Sequence, residues 1–395
     1  MKVYFDNSAT TQLDSQVFEA MKPYFCDNFG NADSLHSFGK VCSIAIDKAR
    51  LSVAKAINAM PNEVYFTGSG SEANNWAIKG TMYARANKGK HIIISTIEHH
   101  SILNCVEWLA KNGFEASYAP VDEFGFVKVD ELTKLIRPDT VLISIMYANN
   151  EVGSIQPIEQ ISALAHSKGI LMHADCVQAM GSIPVDVHKL GVDLATISAH
   201  KFYGPKGVGA LYIRNGLIID KLIIGGGQER AQRGGTSNTP AIVGMGRAIE
   251  IATSTLQENA KYIASIRDYF VSLVQEKIPF IRFNGTANTA VRLPSNANFC
   301  FRYIEGDGLL TLLDFAGIAV SSGSACSSQS LLPSHVLLAM GVDIVDAHGS
   351  IRFSFGKHNT MQEVDYCVEV LAESVEKLRN ISPLFKLSQG EKINV

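Results

Sequence analysis

The chain has 395 residues, 46% of them hydrophobic and 18% charged, which is typical of a folded soluble protein and excludes a disordered or fibrous chain. The formal net charge is −3 and no run of basic residues occurs, so we expect no nucleic acid as a partner. No apolar stretch approaches the roughly 20 residues that cross a bilayer, so we also expect no membrane partner.

The N-terminal sequence and the cysteines predict a cytoplasmic protein. The stretch "MKVYFDNSATTQ" has an aspartate at position 6 and lacks the apolar segment that a secretory signal contains. The seven cysteines are scattered, odd in number and form no CxxC pair. Such usage is typical of cytosolic thiols, and it argues against a disulfide framework or a metal site.

Short apolar runs alternate with helical patterns between residue 64 and about residue 214. The runs predict seven strands, at residues 64–66, 91–96, 115–121, 140–148, 170–174, 194–198 and 208–214. Between two of them, "SILNCVEWLAKNG" predicts an amphipathic helix, with Ile102, Cys105, Val106 and Leu109 on one stripe. Strands that alternate with helices predict an α/β fold whose mostly parallel seven-stranded sheet is covered on both faces.

The chain length predicts about two domains, and the sequence pattern changes after residue 255. A helical stretch at about 240–277 leads into a smaller α+β pattern, which ends in a helix at 360–378. We therefore predict an N-terminal arm (1–15) that packs on the small domain, a large domain (16–255) and a small C-terminal domain (256–395).

The first candidate binding segment is "FTGSGSEANN" at residues 66–75, where a predicted strand is followed by a helix. Gly68, Ser69, Gly70 and Ser71 would direct backbone N–H groups to one point beside a helix N-terminus, as in an anion site. The segment also matches the GxGxxA dinucleotide pattern, but the acidic residue expected about 20 positions later is missing. We predict a phosphate site, and a plain glycine-rich turn is the alternative.

Two further strand ends carry Asp175 and Lys201, at the edge of the sheet where open α/β folds bind ligands. Asp175 follows a buried run in "HADCVQ", and a turn or N-cap aspartate is the alternative. Lys201 follows the run "LATIS", where a lysine is costly unless it is paired or unprotonated; a surface lysine is the alternative. A phosphate site, an aspartate and a lysine at one edge are the three anchors that pyridoxal 5′-phosphate needs, because the lysine forms a Schiff base and the aspartate pairs with the ring nitrogen.

Other polar residues extend this prediction. "EHHS" offers His99 and His100, which as sequence neighbours point apart and so cannot bind one metal together; we expect one of them to be a ring-stacking acid or base. Asn150 in "NNE" and Gln178 would place amide groups near the ring hydroxyl. Arg352 in the strand-like "SIRFSFG" suits a bidentate clamp for a carboxylate, and an ordinary surface arginine is the alternative.

Ten segments of the chain together resemble one known family. They are "YFDNSATT", "FGNADSLHSFG", "FTGSGSEANNWAIKG", "EHHSI", "NNEVGSIQPI", "HADCVQ", "SAHKFYGPKGVGALY", "GGGQERAQRGGTSN", "SSGSACSS" and "SIRFSFG". On this set the chain resembles the group I cysteine desulfurases (the NifS/IscS type) of the class V aminotransferase superfamily. The resemblance implies the fold type I architecture of aminotransferases that use pyridoxal phosphate, with a smaller α+β C-terminal domain.

The resemblance also implies a role for each motif residue. Lys201 would form the Schiff base, His99 would stack on the ring, and Arg352 with Asn150 would bind the substrate carboxylate. Thr236 would reach the phosphate from the other subunit of a homodimer. The implied cofactor-binding residues are Gly70, Ser71, His99, Asn150, Asp175, Gln178, Ser198, His200, Lys201 and Thr236, and the implied catalytic residues are Cys326, Lys201 and His99.

Three features depart from the family pattern. Ser71 stands where the family usually has threonine, which conserves the hydroxyl. Cys176 occupies a position that is usually filled by a small residue, and we expect that a second thiol there could interfere with the reaction. The sequence ends soon after "SPLFKL", so we do not expect docking to a scaffold through a longer C-terminal segment.

The stretch "VSSGSACSSQS" at residues 320–330 carries Cys326 among mostly serine and glycine residues and contains no second cysteine. By the resemblance, Lys201 removes the Cα proton of L-cysteine and the Cys326 thiolate attacks the substrate sulfur. Alanine then leaves, and the sulfur stays on Cys326 as a persulfide. A sulfur-acceptor or iron–sulfur scaffold protein would take it, for iron–sulfur cluster assembly, tRNA thiolation or cofactor synthesis.

The sequence leaves three other functions open. A selenocysteine lyase or a β-lyase would share the fold, and persulfide yield compared with selenide release would separate these activities. An ordinary class V aminotransferase would not need Cys326. A nucleotide-binding or scaffold protein would use the loop at 68–73 without chemistry, and it would lack the yellow colour of a bound pyridoxal cofactor.

Overall fold

The structure, a computed structural model, describes residues 1–322 and 333–389. The strands are β1 (Val3–Tyr4), β2 (Val64–Thr67), β3 (His91–Ser95), β4 (Glu115–Ala119), β5 (Thr140–Met146), β6 (Leu171–Asp175), β7 (Leu194–Ser198), β8 (Gly209–Ile213), β9 (Ile281–Asn284), β10 (Asn296–Phe301), β11 (Ile318–Ala319), β12 (Ser321–Ser322) and β13 (Ser350–Ser354). The helices are α1 (Ser15–Met21), α2 (Pro23–Cys26), α3 (Ser37–Ala56), α4 (Gly70–Ala84), α5 (His100–Ala110), α6 (Val129–Lys134), α7 (Ile158–Ser167), α8 (Val187–Leu190), α9 (Gln228–Ala231), α10 (Thr239–Ser254), α11 (Leu256–Lys277), α12 (Gly306–Phe315), α13 (His335–Ala339), α14 (Ile344–His348), α15 (Met361–Ile381) and α16 (Pro383–Ser388).

Seven strands form the central sheet, in the order β2-β8-β7-β6-β5-β3-β4. Strands β4, β3, β5, β6 and β7 are parallel to one another, whereas β8 runs antiparallel to both of its neighbours, β7 and β2. The predicted α/β fold with a mostly parallel seven-stranded sheet is therefore confirmed. All seven predicted strands are present, and β6 extends by one residue so that Asp175 is its last residue.

The central strands are buried along their whole length, which explains their nearly continuous apolar sequences. Several polar side chains within them are paired with one another. His173, for example, is fully buried on β6, and its Nδ1 and Nε2 atoms lie 2.8 and 3.1 Å from the hydroxyls of Ser144 and Thr196. Such pairing avoids the free-energy cost of burying an unsatisfied polar group.

A second core surrounds the four-stranded antiparallel sheet β12-β13-β10-β9. Aromatic rings dominate it: Phe270 of α11 lies with its ring centroid 4.6 Å from that of Phe353 and 5.3 Å from that of Phe355. Strand β1 pairs in parallel with β11, so Val3 and Phe5 enter this core from the N-terminal end. The helical stretch predicted at 240–277 is two helices, α10 and α11, separated at Thr255. The boundaries at residues 15 and 255 stay predictions.

Residues 6–11, which we call the strap, join the two cores. At one end, the Ser8 N–H donates to the Oγ of Ser354 on β13, at 2.8 Å. At the other end, the Thr11 N–H donates to the carbonyl of His200, just after β7, at 2.9 Å. The strap therefore lies beside the carboxyl ends of β6 and β7, where the sequence places its candidate residues. No helix in the part of the chain that the structure describes has both the length and the apolarity to cross a membrane.

Candidate active site

A cavity of about 490 Å³ opens where the strap crosses the carboxyl ends of β5, β6 and β7. Most of the predicted site residues meet there, although they come from segments far apart in the chain. Those that line the cavity are Gly70, Ser71, His99, Asn150, Asp175, Gln178, Ser198, His200, Lys201 and Arg352. The carboxyl edge of the sheet and β13 of the second core thus contribute to one cavity.

One end of the cavity is formed by the N-terminus of α4. Ser69 is the N-cap residue, and its side chain accepts from the Glu72 N–H, so the helix begins at Gly70. A Cβ at Gly70 would lie only 3.1 Å from the Cβ of Ser198 and 3.1 Å from Val177, so glycine lets the helix end approach β7 closely. Free N–H groups and the positive end of the helix dipole make this a favourable position for a phosphate.

The opposite polar anchor is Asp175 at the end of β6, which is 6% exposed. Its Oδ1 accepts from the Val177 N–H at 2.9 Å, and its Oδ2 accepts from the Asn74 amide at 2.8 Å. Each carboxylate oxygen has two lone pairs, so these contacts fix the side chain and leave acceptor capacity for a ring N–H. The Val177 N–H lies two residues after Asp175, so its hydrogen bond to Oδ1 is the contact expected of a turn aspartate, the alternative predicted from the sequence.

His99 is the N-cap residue of α5 and lines the cavity beside Asp175. The Ser101 N–H donates to its Nδ1 at 3.1 Å, so the proton of a neutral ring lies on Nε2. Burial lowers the pKa of His99, and the charge of Asp175 opposes that shift only in part. A neutral imidazole is suited to stacking on an aromatic ring. His100 lies outside the cavity lining, with its ring centroid 4.8 Å from that of His335.

Lys201 lies in a 3₁₀ turn, Ala199–Lys201, directly after β7. Its Nζ donates to the carbonyls of Ser8 at 2.5 Å and Ala9 at 2.8 Å, so the strap holds the amine at the cavity wall. The neighbouring His200 lies 3.2 Å from the Thr10 hydroxyl through its Nδ1. Burial, helped by the nearby Lys201 charge, lowers the pKa of His200 to about 4, so His200 is a neutral hydrogen-bonding residue at pH 7.

The remaining predicted residues differ in where they lie. Gln178 donates to the Ser8 carbonyl at 3.0 Å, and Arg352 forms an ion pair with Asp6, with Nη2 and Oδ1 2.9 Å apart. Thr236 is exposed and does not line the cavity. Cys326 lies outside the described residues.

The environment of Cys176 argues against the interfering thiol that the sequence predicts at this position. It is fully buried in the core behind β6, and burial, with the neighbouring Asp175 charge, raises the pKa of its thiol. Because the thiolate is the nucleophilic form, such a thiol is unreactive.

Sequence reasoning gave no role to several residues that shape this site. Asn74 lies four residues after Gly70, one helical turn further along the same face of α4, and that spacing could have indicated its contact with Asp175. Asp6 and Ser8 lie in "YFDNSATT", whose contacts depend on the folding of the strap across both cores. Glu98 carries no sequence signal: it is fully buried, and burial raises its pKa to about 8.

The residues of the cavity fit pyridoxal 5′-phosphate. The α4 N-terminus, Ser198 and His200 offer donors to a phosphate, Asp175 offers an acceptor to a protonated ring nitrogen, and Lys201 offers an amine. Within residues 1–322 and 333–389, no cluster of three or more histidine, cysteine or acidic side chains could hold a metal ion. The arrangement therefore suits the chemistry of an amino acid on an aldehyde cofactor.

Comparisons with known proteins identify the family. The Aminotransferase class-V family matches residues 3–367. A cysteine desulfurase IscS of Dictyoglomus turgidum is 52% identical over 393 residues, covering 100% of this chain and 98% of the relative. The solved structure of a NifS-like protein matches with a TM-score of 0.90 and 42% identity, covering 96% of this chain and 100% of its own. SspA, solved in complex with cysteine, matches with a TM-score of 0.80 and 35% identity, covering 91% of this chain and 100% of its own.

Proposed function

The chain belongs to the class-V aminotransferase family, and we propose that it is a cysteine desulfurase that uses pyridoxal 5′-phosphate. In this proposal, it converts L-cysteine to L-alanine and keeps the sulfur as a persulfide on Cys326. The observation that carries the proposal is the convergence of Lys201, Asp175 and the α4 N-terminus on one cavity. The identity of 52% to a cysteine desulfurase over the whole chain supports the choice of reaction within the family.

Different residues of the cavity would contact different parts of the cofactor. Gly70, Ser71, Ser198 and His200 would bind the phosphate, and Gln178 and Asn150 would hydrogen-bond the ring hydroxyl. Asp175 would keep the ring nitrogen protonated, and the neutral His99 ring would stack on the cofactor ring. Bound pyridoxal phosphate supplies an electron sink for the pair left behind when the substrate loses its Cα proton.

The substrate is positioned and deprotonated by residues of this chain. Arg352 binds the carboxylate of L-cysteine, because its buried guanidinium faces the cavity and retains free N–H groups. Lys201 would hold pyridoxal phosphate through its Nζ. Beside the carbonyls of Ser8 and Ala9, the same amine would take up the Cα proton of the substrate.

The transfer of the substrate sulfur to Cys326 needs no external oxidant or reductant. The Cys326 thiolate forms a bond to the substrate sulfur as the Cβ–S bond breaks, and Cβ takes up a proton. One thiol and L-cysteine therefore give one persulfide and L-alanine. An acceptor protein with its own thiol, such as an iron–sulfur scaffold, would receive this sulfur, and the scattered free thiols of the chain support a cytoplasmic setting.

The exposed apolar face of α3 and the turn before it supports a homodimer. This face consists of Phe29, Leu35, Phe38, Val41 and Ile44, which are all exposed. A patch of this kind marks an interaction surface. The Gln228 amide donates to Asp33 at 2.7 Å, which joins the face to the segment that carries Thr236. A second copy on the face would thus be placed to receive Thr236 at its phosphate site.

Reduction of the cofactor-loaded protein with borohydride tests the proposal. Borohydride makes the bond between the cofactor and its lysine permanent, and peptide mapping then identifies the residue. We expect the label on Lys201. Label on Lys206, which also lines the cavity, would contradict the assignment, as would a protein that binds no pyridoxal phosphate.

A further inference from the structure

Asp6 of the strap forms an ion pair with the carboxylate-binding Arg352. The Nη2 of Arg352 lies 2.9 Å from Oδ1 of Asp6, and the two side chains are 5% and 19% exposed. A guanidinium that is removed from water needs a partner of opposite charge, because an unpaired buried charge is strongly unfavourable. Among the described residues, Asp6 is the only carboxylate in ion-pair contact with Arg352.

The contacts of Arg352 leave part of its guanidinium available to a ligand. Beyond the Asp6 contact, Nη1 donates to the Asn150 carbonyl at 3.3 Å. The Nε atom is buried and has no hydrogen-bond partner within residues 1–322 and 333–389. A guanidinium has five N–H groups, so donors remain for a carboxylate in the cavity that Arg352 lines.

Asp6 is itself fixed to the strand that carries Arg352. Asp6 pairs with Ser354 in an isolated parallel bridge, the Asn7 N–H donates to the Ser354 carbonyl, and the Ser8 N–H donates to the Ser354 Oγ. Ser354 lies two residues after Arg352 on β13, on the same face of the strand. The acid and the arginine are therefore anchored to the same strand, which limits how far either can move.

We propose that Asp6 is a positioning residue: it anchors the Arg352 guanidinium through Nη2 so that the remaining N–H groups face the cavity and bind the carboxylate of an α-amino acid. The proposal rests on the role of Arg352 in the proposed function. Asp6 does not line the cavity, so in this proposal it acts through Arg352 alone. A defect caused by its loss should therefore depend on the ligand carboxylate and on the presence of the arginine.

The test compares two ligands that differ only in a carboxylate. The cofactor-loaded protein is titrated with L-alanine and with ethylamine, and the cofactor absorbance reports binding. We expect Asp6→Ala to weaken L-alanine binding on the order of tenfold, as for a lost hydrogen bond to a charged group, and to leave ethylamine binding unchanged. Asp6→Asn keeps an oxygen that accepts from Nη2, so it should restore part of the loss. Asp314→Ala, which removes an exposed carboxylate on α12, is the control.

A double-mutant cycle separates positioning from a general structural effect. In an Arg352→Ala background, Asp6→Ala should cause no further loss of L-alanine binding, because the residue through which it acts is absent. Steady-state kinetics of the single variant should show a raised KM for L-cysteine with kcat nearly unchanged. Equal weakening for both ligands, an equal additional loss in the Arg352→Ala background, or unchanged L-alanine binding would each overturn the proposal.

A measurement on the cofactor-free protein keeps this test independent of turnover. Phenylglyoxal modifies accessible arginines, and mass spectrometry follows its reaction with Arg352. We expect phenylglyoxal to modify Arg352 faster in the Asp6→Ala variant than in the wild-type protein. An equal rate would count against the proposal. If the proposed function is wrong, the wild-type protein itself will neither bind L-alanine nor turn over L-cysteine, which distinguishes that failure from a failure of the Asp6 proposal.

Discussion

The amide Nδ2 of Asn74 lies 2.8 Å from Oδ2 of Asp175, so a helix side chain fixes the carboxylate at the end of β6. The same amide lies 2.9 Å from the Ser101 hydroxyl, which in turn lies 2.8 Å from Nδ1 of His99. The buried Asn74 amide thus connects Asp175 and His99 through hydrogen bonds. Asp175 is expected to contact the nitrogen of the cofactor ring, and His99 is expected to stack on the face of that ring.

We predict that Asn74→Ala lowers kcat by roughly 10- to 100-fold, because a hydrogen bond to a charged group is worth about 1.5–3 kcal/mol and holds Asp175 in place. The rate of Cα proton exchange from L-alanine in deuterated water measures the affected step. Asn75→Ala is the matched control, since Asn75 donates to the Ser71 and Ser101 carbonyls and does not contact Asp175. Equal rates for the two variants would contradict the role of Asn74.

His99→Phe separates stacking from proton chemistry. A phenyl ring can stack on the cofactor, but it has no ring nitrogen to accept from Ser101 or to carry a proton. We expect the variant to retain its cofactor during dialysis and to lose roughly 10²–10⁴-fold in turnover, the usual contribution of general acid–base catalysis. His100→Phe, the same change one residue outside the cavity, should retain activity. Full turnover in His99→Phe would show that His99 only stacks.

The apolar runs predicted the central sheet, and the strand ends indicated which candidate residues meet in one cavity, because parallel strands bring their carboxyl ends to one edge. The alternation of strands and helices is a local pattern, and so it can be read from the sequence. The strap could not be predicted in this way, since Asp6 contacts Arg352 and Ser8 contacts Lys201 across hundreds of residues of chain. Glu98 is similar: its burial depends on packing between β3 and β5.

Glu98 is expected to make stability depend on pH. Its Oε1 accepts from Ser95 and from the Met146 N–H, but burial raises its pKa to about 8, against about 4.3 in an unfolded chain. Because the folded-state pKa is raised, this group's contribution to stability is complete below about pH 4.3 and is lost as the pH rises toward 8. Glu98→Gln cannot ionise and keeps the acceptor oxygen.

Denaturant unfolding of the cofactor-free protein at pH 5, 7 and 9 measures this effect. We expect the Glu98→Gln variant to gain stability relative to the wild-type protein as the pH rises from 5 to about 8, by at most about 1.4 kcal/mol per pH unit, and to gain little more above about pH 8. The other titrating groups are common to both proteins and cancel in the difference. A difference that does not change with pH would show that Glu98 is not the group responsible.

The dimer prediction is tested on the apolar face of α3. Ile44→Glu places a charge among Phe38 and Val41, which should prevent a second copy from covering the face. We expect a monomer in sedimentation equilibrium and weaker retention of pyridoxal phosphate, because the partner's Thr236 is then absent from the site. Phe315→Glu, at an exposed position on α12, should remain a dimer. A monomeric variant with full cofactor occupancy would argue against a shared site.

Mass spectrometry of the protein after one turnover shows whether the sulfur of L-cysteine passes to Cys326. Cofactor-loaded protein is mixed with one equivalent of L-cysteine, alkylated and digested, and alanine is measured in parallel.

Cys326→Ser should retain the cofactor and yield no persulfide and almost no alanine, because a serine hydroxyl is scarcely ionised near neutral pH. Cys176→Ala and Cys26→Ser are the matched controls, one removing a buried thiol and one an exposed thiol, and both should form the persulfide normally. We expect one additional sulfur atom on the Cys326 peptide in step with alanine release, and alanine formation at an unchanged rate in Cys326→Ser would show that the sulfur does not pass to Cys326.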